Sequence, residues 1–96
     1  PSAFQNVERD FAFVLDQNVS ASLLLRAVKA AAKEQISDIG IFDVYEGDEI
    51  GHGKKSIAVK IQLTPTEATF TEAELQKISD DIIKSVEKQC SATLRG

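Results

Sequence analysis

The residues best placed to do chemistry are Asp43, Tyr45 and, beyond a glycine-bearing loop, Ser56. Alternation along two extended runs puts all three on one side of what should be neighbouring strands. An aromatic ring beside a carboxylate and a hydroxyl meets the needs of one unpaired nucleobase: a stacking platform, plus an acceptor and a donor for its edge. Stacking of this kind contributes roughly 1–3 kcal/mol per base. A carboxylate that accepts from a ring N–H and an exocyclic amine favours guanine, whose Watson–Crick edge carries two adjacent donors. Residue types alone leave the plain reading ahead, because an exposed tyrosine on an edge strand is more often ordinary surface than a base platform.

Other chemistries find less support. One cysteine, Cys90, excludes an iron–sulfur ferredoxin, and Cys90 with His52 are too few and too far apart for zinc. No metal and no cofactor are expected in this chain. His52 lies between two glycines with no neighbouring nucleophile or orienting group, and reads as a solvated loop residue. Gly47, Gly51 and Gly53 lack the strand-to-helix setting of a phosphate loop and read as turn residues. Asn18-Val19-Ser20 matches the glycosylation pattern by letters alone. Arg9 and Asp10 beside Asp43 could form a structural ion pair, worth about 0–1 kcal/mol at a surface. Cys90 reads as a small buried hydrophobe at a helix end.

The elements that would position these groups follow from periodicity. Arg9, Phe11, Phe13 and Leu15 alternate with Asp10, Ala12 and Val14, which predicts a half-buried strand. Ser20 caps a helix with the apolar stripe Leu23, Leu24, Ala27, Val28, Ala31, expected to end near Gln35. The segment 36–46 predicts a second strand, with Ile41, Asp43 and Tyr45 on one face and Phe42 and Val44 on the other. The third strand is the clearest, with Ile57, Val59, Ile61 and Leu63 forming one aliphatic face. Thr71 and Glu74 form a capping box, with Phe70 and Leu75 as its staple, for a helix burying Leu75, Ile78, Ile82 and Val86. A short strand over 92–95 would turn Leu94 inward and Arg95 outward.

Strand, helix, strand, strand, helix, strand predicts an α+β ferredoxin-like βαββαβ sandwich: a four-stranded antiparallel sheet with two helices on one face. The uncovered face would present Asp10, Ala12, Val14, Ile41, Asp43, Tyr45, Ser56, Ala58 and Lys60, with Thr93 and Arg95 at its margin. Ninety-six residues, 43% of them hydrophobic, fit one domain over 1–96. A net charge of −4 argues against a sequence-blind nucleic-acid binder, so RNA contact would be local and directed at bases. The unpaired cysteine and the lack of a long apolar run point to the cytoplasm. Pro1 in place of methionine is expected for a piece of a longer chain.

Against this background the run Val7-Glu8-Arg9-Asp10-Phe11-Ala12-Phe13-Val14-Leu15-Asp16 gains meaning, because four further segments follow it in order. These are Phe42-Asp43-Val44-Tyr45, Gly53-Lys54-Lys55-Ser56-Ile57-Ala58, Thr69-Phe70-Thr71 and Leu94-Arg95-Gly96. Over about residues 3–96 the chain resembles the ferredoxin-fold anticodon-binding domain that closes the β subunit of bacterial phenylalanyl-tRNA synthetases. The resemblance implies an RNA-binding module that grips the anticodon stem-loop of tRNA(Phe) and recognises its first base, a guanine. Tyr45 would stack on that base, with Asp43 and Ser56 as hydrogen-bonding partners and Arg95 as a further contact. The implied partners are the rest of the β subunit and the α subunit of a heterotetramer. Catalysis with ATP and Mg²⁺ would lie outside this chain, which alone should be inactive and bind RNA weakly. Gly51-His52-Gly53 and Ala68 depart from the family's Pro-bearing loop and frequent basic residue, which bears on loop contacts. The alternative function is an amino-acid-sensing regulatory domain of the same fold; an acylphosphatase-like hydrolase lacks its anion loop after the first strand.

Overall fold

A computed structural model of the chain describes residues 5–95; Pro1 and Gly96, named above at the two ends, lie outside the described residues. The elements are β1 (Val7–Asp16), α1 (Ala21–Ala31), β2 (Ile36–Tyr45), β3 (Lys54–Leu63), α2 (Glu72–Cys90) and β4 (Thr93–Leu94). They form one antiparallel sheet in the order β2-β3-β1-β4, the ferredoxin-like α+β arrangement that the element order predicts.

The core lies between the sheet and the helices. Phe11, Phe13 and Leu15 of β1 and Ile57, Val59, Ile61 and Leu63 of β3 meet Leu24, Ala27 and Val28 of α1 and Leu75, Ile82 and Val86 of α2. Withdrawing each large aliphatic or aromatic side chain from water stabilises the fold by about 1.5–3 kcal/mol. The two helices are also joined by a polar contact, Ser85 Oγ donating to the Ala27 carbonyl at 2.7 Å. Cys90 is buried with this core, and loss of solvent pushes its thiol pKa up.

Helix ends follow local chemistry. Ser20 accepts from the Leu23 N–H at 3.1 Å, and Thr71 and Glu74 close the capping box in both directions. α1 stops at Ala31, short of Gln35, because Ala32 leaves the helical region at φ −151° and the next residues turn toward β2. β4 pairs over only two residues, so Leu94 shares the helix side with its partner Phe13 yet is 41% exposed instead of buried.

The largest departure from simple alternation is in β2. Ile39 opposes Ile61 and Ile41 opposes Val59, which puts both isoleucines on the core side. The register then shifts between Ile41 and Asp43, so that Asp43 opposes Ala58, Val44 opposes Ile57 and Tyr45 opposes Ser56. Phe42 is the extra residue of a β-bulge, which keeps the ladder while changing the phase of the side chains. Ile41 therefore faces the helices and not the open side expected for it. Phe42 is 56% exposed, and its ring lies under the Lys60 ammonium of the open face. The alternation that set Phe42 opposite Tyr45 fails for the same reason. Among the described residues no helix is long and apolar enough to cross a membrane.

The two phenylalanines should respond differently to truncation. Phe13→Ala, in the fully buried centre, should lose about 3–5 kcal/mol in a urea titration. Phe42→Ala should stay within about 0.5 kcal/mol of the parent.

Candidate nucleic-acid interface

With both helices on one side, register alone lays out the other. One row across the sheet is Tyr45, Ser56, Val14 and Thr93; the next is Asp43, Ala58 and Ala12; the third is Gly40, Lys60 and Asp10. Same-face rows stand two residues apart, roughly 6.6 Å at the rise of an extended chain. The middle row is low because two of its side chains are methyl groups. This row of small side chains runs between Tyr45 in the row on one side and Lys60 in the row on the other, with Asp43 at its β2 end.

Tyr45 is fixed from several directions. Its hydroxyl donates to the Glu49 carboxylate, four residues on in the β2–β3 loop. A β-carbon at Gly47 would stand 2.7 Å from the tyrosine Oη and 3.0 Å from Cζ, so the absence of a side chain there lets the loop close over the phenol. The loop also needs Gly51 and Gly53, at φ +122° and +75°, values that an L side chain resists. Its far end is tied to β1 by the Lys54–Asp16 ion pair at 2.6 Å and by Gln17 N–H to the Gly53 carbonyl at 3.0 Å.

Arg95 enters from the opposite edge. Its backbone N–H donates to the Ala12 carbonyl at 2.7 Å, which extends the β4 pairing by one bond. From there the side chain crosses β1: Nη1 donates to Ser56 Oγ at 3.4 Å, and Cζ lies 5.8 Å from the Tyr45 ring centroid. This cover leaves Ser56 only 4% exposed, while Tyr45 keeps 38% of its surface. Tyr45 and Ser56 are thus both engaged with one cation, which also gives the serine hydroxyl a partner.

The electrostatics follow from these contacts. The hydrogen bond to Glu49, then that carboxylate's charge and some loss of solvent, hold the Tyr45 phenol above the usual tyrosine range, against the opposing pull of Arg95. The bond from Tyr45 holds Glu49 below the usual carboxylate range, helped by a backbone hydrogen bond and by Arg95 against desolvation. Near neutral pH the pair is a phenol donating to an ionised carboxylate. A depressed carboxylate contributes its stabilisation above its unfolded pKa and loses it as pH falls through the folded value.

Asp43, Tyr45, Ser56 and Arg95 therefore share one face and one corner, although the first three do not all stand in the same row. The anticipated Arg9–Asp10–Asp43 ion pair is absent among the described residues; Arg9 instead donates to the Glu8 carbonyl at 3.0 Å. His52 is an exposed turn residue, and no cluster of potential metal ligands occurs among the described residues. Sequence reasoning missed Glu49 and Gly47 as partners of Tyr45, for which the only signal was their closeness along the chain. It missed Phe42 as well, because strict alternation sent that ring to the wrong side.

A four-stranded antiparallel sheet that commits one side to two helices and leaves the other open defines a ferredoxin-like α+β domain. Comparison narrows that class: residues 2–95 match the model of the ferredoxin-fold anticodon binding domain, and the chain belongs to that family. It is similar to the protein called phenylalanine–tRNA ligase β subunit in Paramagnetospirillum magneticum, 43% identical over 95 residues, covering 99% of this chain and 12% of the relative. The protein of the same name in Ruegeria pomeroyi is 45% identical over 92 residues, covering 96% of this chain and 12% of the relative. In Brucella abortus the values are 43% over 95 residues, with 99% and 12% covered. The chain thus spans 12% of the length of these curated relatives.

Tyr45 is the sole tyrosine and there is no tryptophan, so tyrosinate absorbance reports this ring alone. In an alkaline titration its midpoint should lie above the usual value of about 10. Glu49→Ala should bring the midpoint down, since the two leading causes of the rise are removed and Arg95 stays. A midpoint equal in both proteins would mean that the loop carboxylate does not hold the phenol in solution.

Proposed function

We propose that this chain is the anticodon-reading module of a phenylalanine–tRNA ligase β subunit and that it recognises guanine at the first anticodon position of tRNA(Phe). The observation that carries the reading is the common face of Asp43, Tyr45, Ser56 and Arg95 beside the small side chains of Ala58 and Ala12. Membership in an anticodon-binding family supports it.

The chemistry proceeds from an occupied site. The Arg95 guanidinium covers the tyrosine ring and the serine hydroxyl, which keeps both from being left bare or unpaired before RNA arrives. A guanine base takes the place of the guanidinium over the ring, exchanging a cation–π contact for a stack. Asp43 accepts from the N1–H and the exocyclic amine, a pair of donors that adenine and the pyrimidines do not present together. Ser56, once freed, stands beside Tyr45 in the same row to donate or accept at the base edge. The displaced Arg95 retains its backbone bond to Ala12 and turns its charge to the phosphate of the bound nucleotide. Glu49 keeps the phenol oriented throughout, because its bond lies at the ring's outer tip and not on its face.

No step of aminoacyl transfer is assigned to these residues. ATP and Mg²⁺, the amino-acid site, the remaining β-subunit domains and the α subunit belong to the full enzyme in this proposal. So does a cytoplasmic setting, where charged tRNA is consumed.

The test uses the full-length subunit assembled with its partners. Tyr45→Ala should lower kcat/KM for tRNA(Phe) by roughly 5- to 150-fold, the kinetic equivalent of losing a stack worth about 1–3 kcal/mol. Replacing the first anticodon guanine should penalise the parent enzyme heavily and the Tyr45→Ala or Asp43→Ala enzyme much less. Equal penalties in parent and variants would overturn the assignment of this corner to that base.

A further inference from the structure

Among the described residues Phe42 is the most exposed large hydrophobic side chain, at 56%, and it stands on the open side of the sheet because it is the extra residue of the β2 bulge. The Lys60 Nζ lies 5.7 Å from its ring centroid. Opposite Lys60 the strand carries Gly40, where a β-carbon would meet nothing within 4 Å, so the ground beside the aromatic–lysine pair is open. Phe42 precedes Tyr45 by three residues, roughly 7–10 Å along a bulged strand. That exceeds the 3.4 Å rise between stacked neighbours on one strand, so bases on the two rings could not stack on each other. It suits adjacent nucleotides that have been splayed apart, the usual state of single-stranded RNA read by proteins.

We propose that Phe42 and Lys60 form a second nucleotide subsite, adjoining the one at Tyr45. An unpaired base stacks on the Phe42 ring, and the Lys60 ammonium moves from the ring to the phosphate that joins the two nucleotides. The site takes an unpaired nucleotide without regard to base identity, because a phenyl ring and an ammonium offer no edge-specific pattern. The occupant is continuous with the proposed anticodon surface, and a cation beside an exposed ring in a chain of net charge −4 matches a polyanion locally. The inference rests on the anticodon-reading proposal and extends it from one base to two.

The experiment compares Tyr45→Ala, Phe42→Ala, Phe42→Trp and Lys60→Gln in the full-length assembled enzyme. It uses normal tRNA(Phe), tRNA altered at the first anticodon base, and tRNA abasic at the second anticodon position. Phe42→Ala should lower kcat/KM for normal tRNA about 5- to 20-fold with unchanged thermal midpoint and unchanged discrimination at the first base. Phe42→Trp should restore the loss, and Lys60→Gln should flatten the salt dependence of tRNA binding. The abasic tRNA should be poor for the parent and no worse for Phe42→Ala. If Tyr45→Ala is impaired and Phe42→Ala is not, the second subsite is refuted while the first stands; if neither is impaired, the anticodon reading itself fails. A lowered thermal midpoint or loss of subunit assembly in Phe42→Ala, with tRNA use intact, would make Phe42 a protein-contact residue and likewise overturn the proposal.

Discussion

The pairing of β2 with β3 governs everything on the open face, because β3 allows no compromise: its four aliphatic residues are all fully withdrawn from solvent. β2 must match that phase to contribute Ile39 and Ile41 to the core, yet uninterrupted pairing from there would turn Tyr45 toward the helices. One inserted residue reconciles the two demands. Sliding a strand by one position exchanges its two faces, which costs the buried contacts of the whole strand. The bulge achieves the exchange locally and leaves the ladder on both sides of it intact.

In the proposed function, the acidic character of the chain shapes how it would meet RNA. With no general excess of cations, attraction must come from particular side chains, and the open face offers Arg95 and Lys60, each resting against an aromatic ring. Such contacts hold a long flexible side chain in place at modest energy, about 0.5–1 kcal/mol at exposed sites. Both cations are therefore prepositioned but easily redirected. Under the proposed function the carboxylates of Asp43 and Glu49 would oppose indiscriminate attraction of phosphates and favour bases over backbone.

Much of the architecture is legible in the sequence, for reasons that differ by element. β3 and β1 alternate cleanly because one face is wholly buried, and α2 carries both a capping box and an apolar stripe. The α1 end was missed because a run of alanines has no stop signal, and tertiary demands on Ile36 decide where the chain turns. Strict alternation puts Asp43, Tyr45 and Ser56 on the open face together with Ile41, and only the bulge between Ile41 and Asp43 separates them. Cross-sheet reach was not legible at all. Nothing local to Arg95 announces that its guanidinium spans a strand to reach Ser56 and Tyr45.

β4 is the weakest part of the sheet by construction. Two paired residues and one flanking hydrogen bond hold it against β1, and the turn before it passes through Ser91 in the left-handed region. An edge this short can fray while the layered interior stays closed, since little apolar area is exposed when it lifts. The guanidinium that rests against Tyr45 is thus mounted on the sheet's shortest pairing, with the Ala12 carbonyl as the backbone tie beneath it.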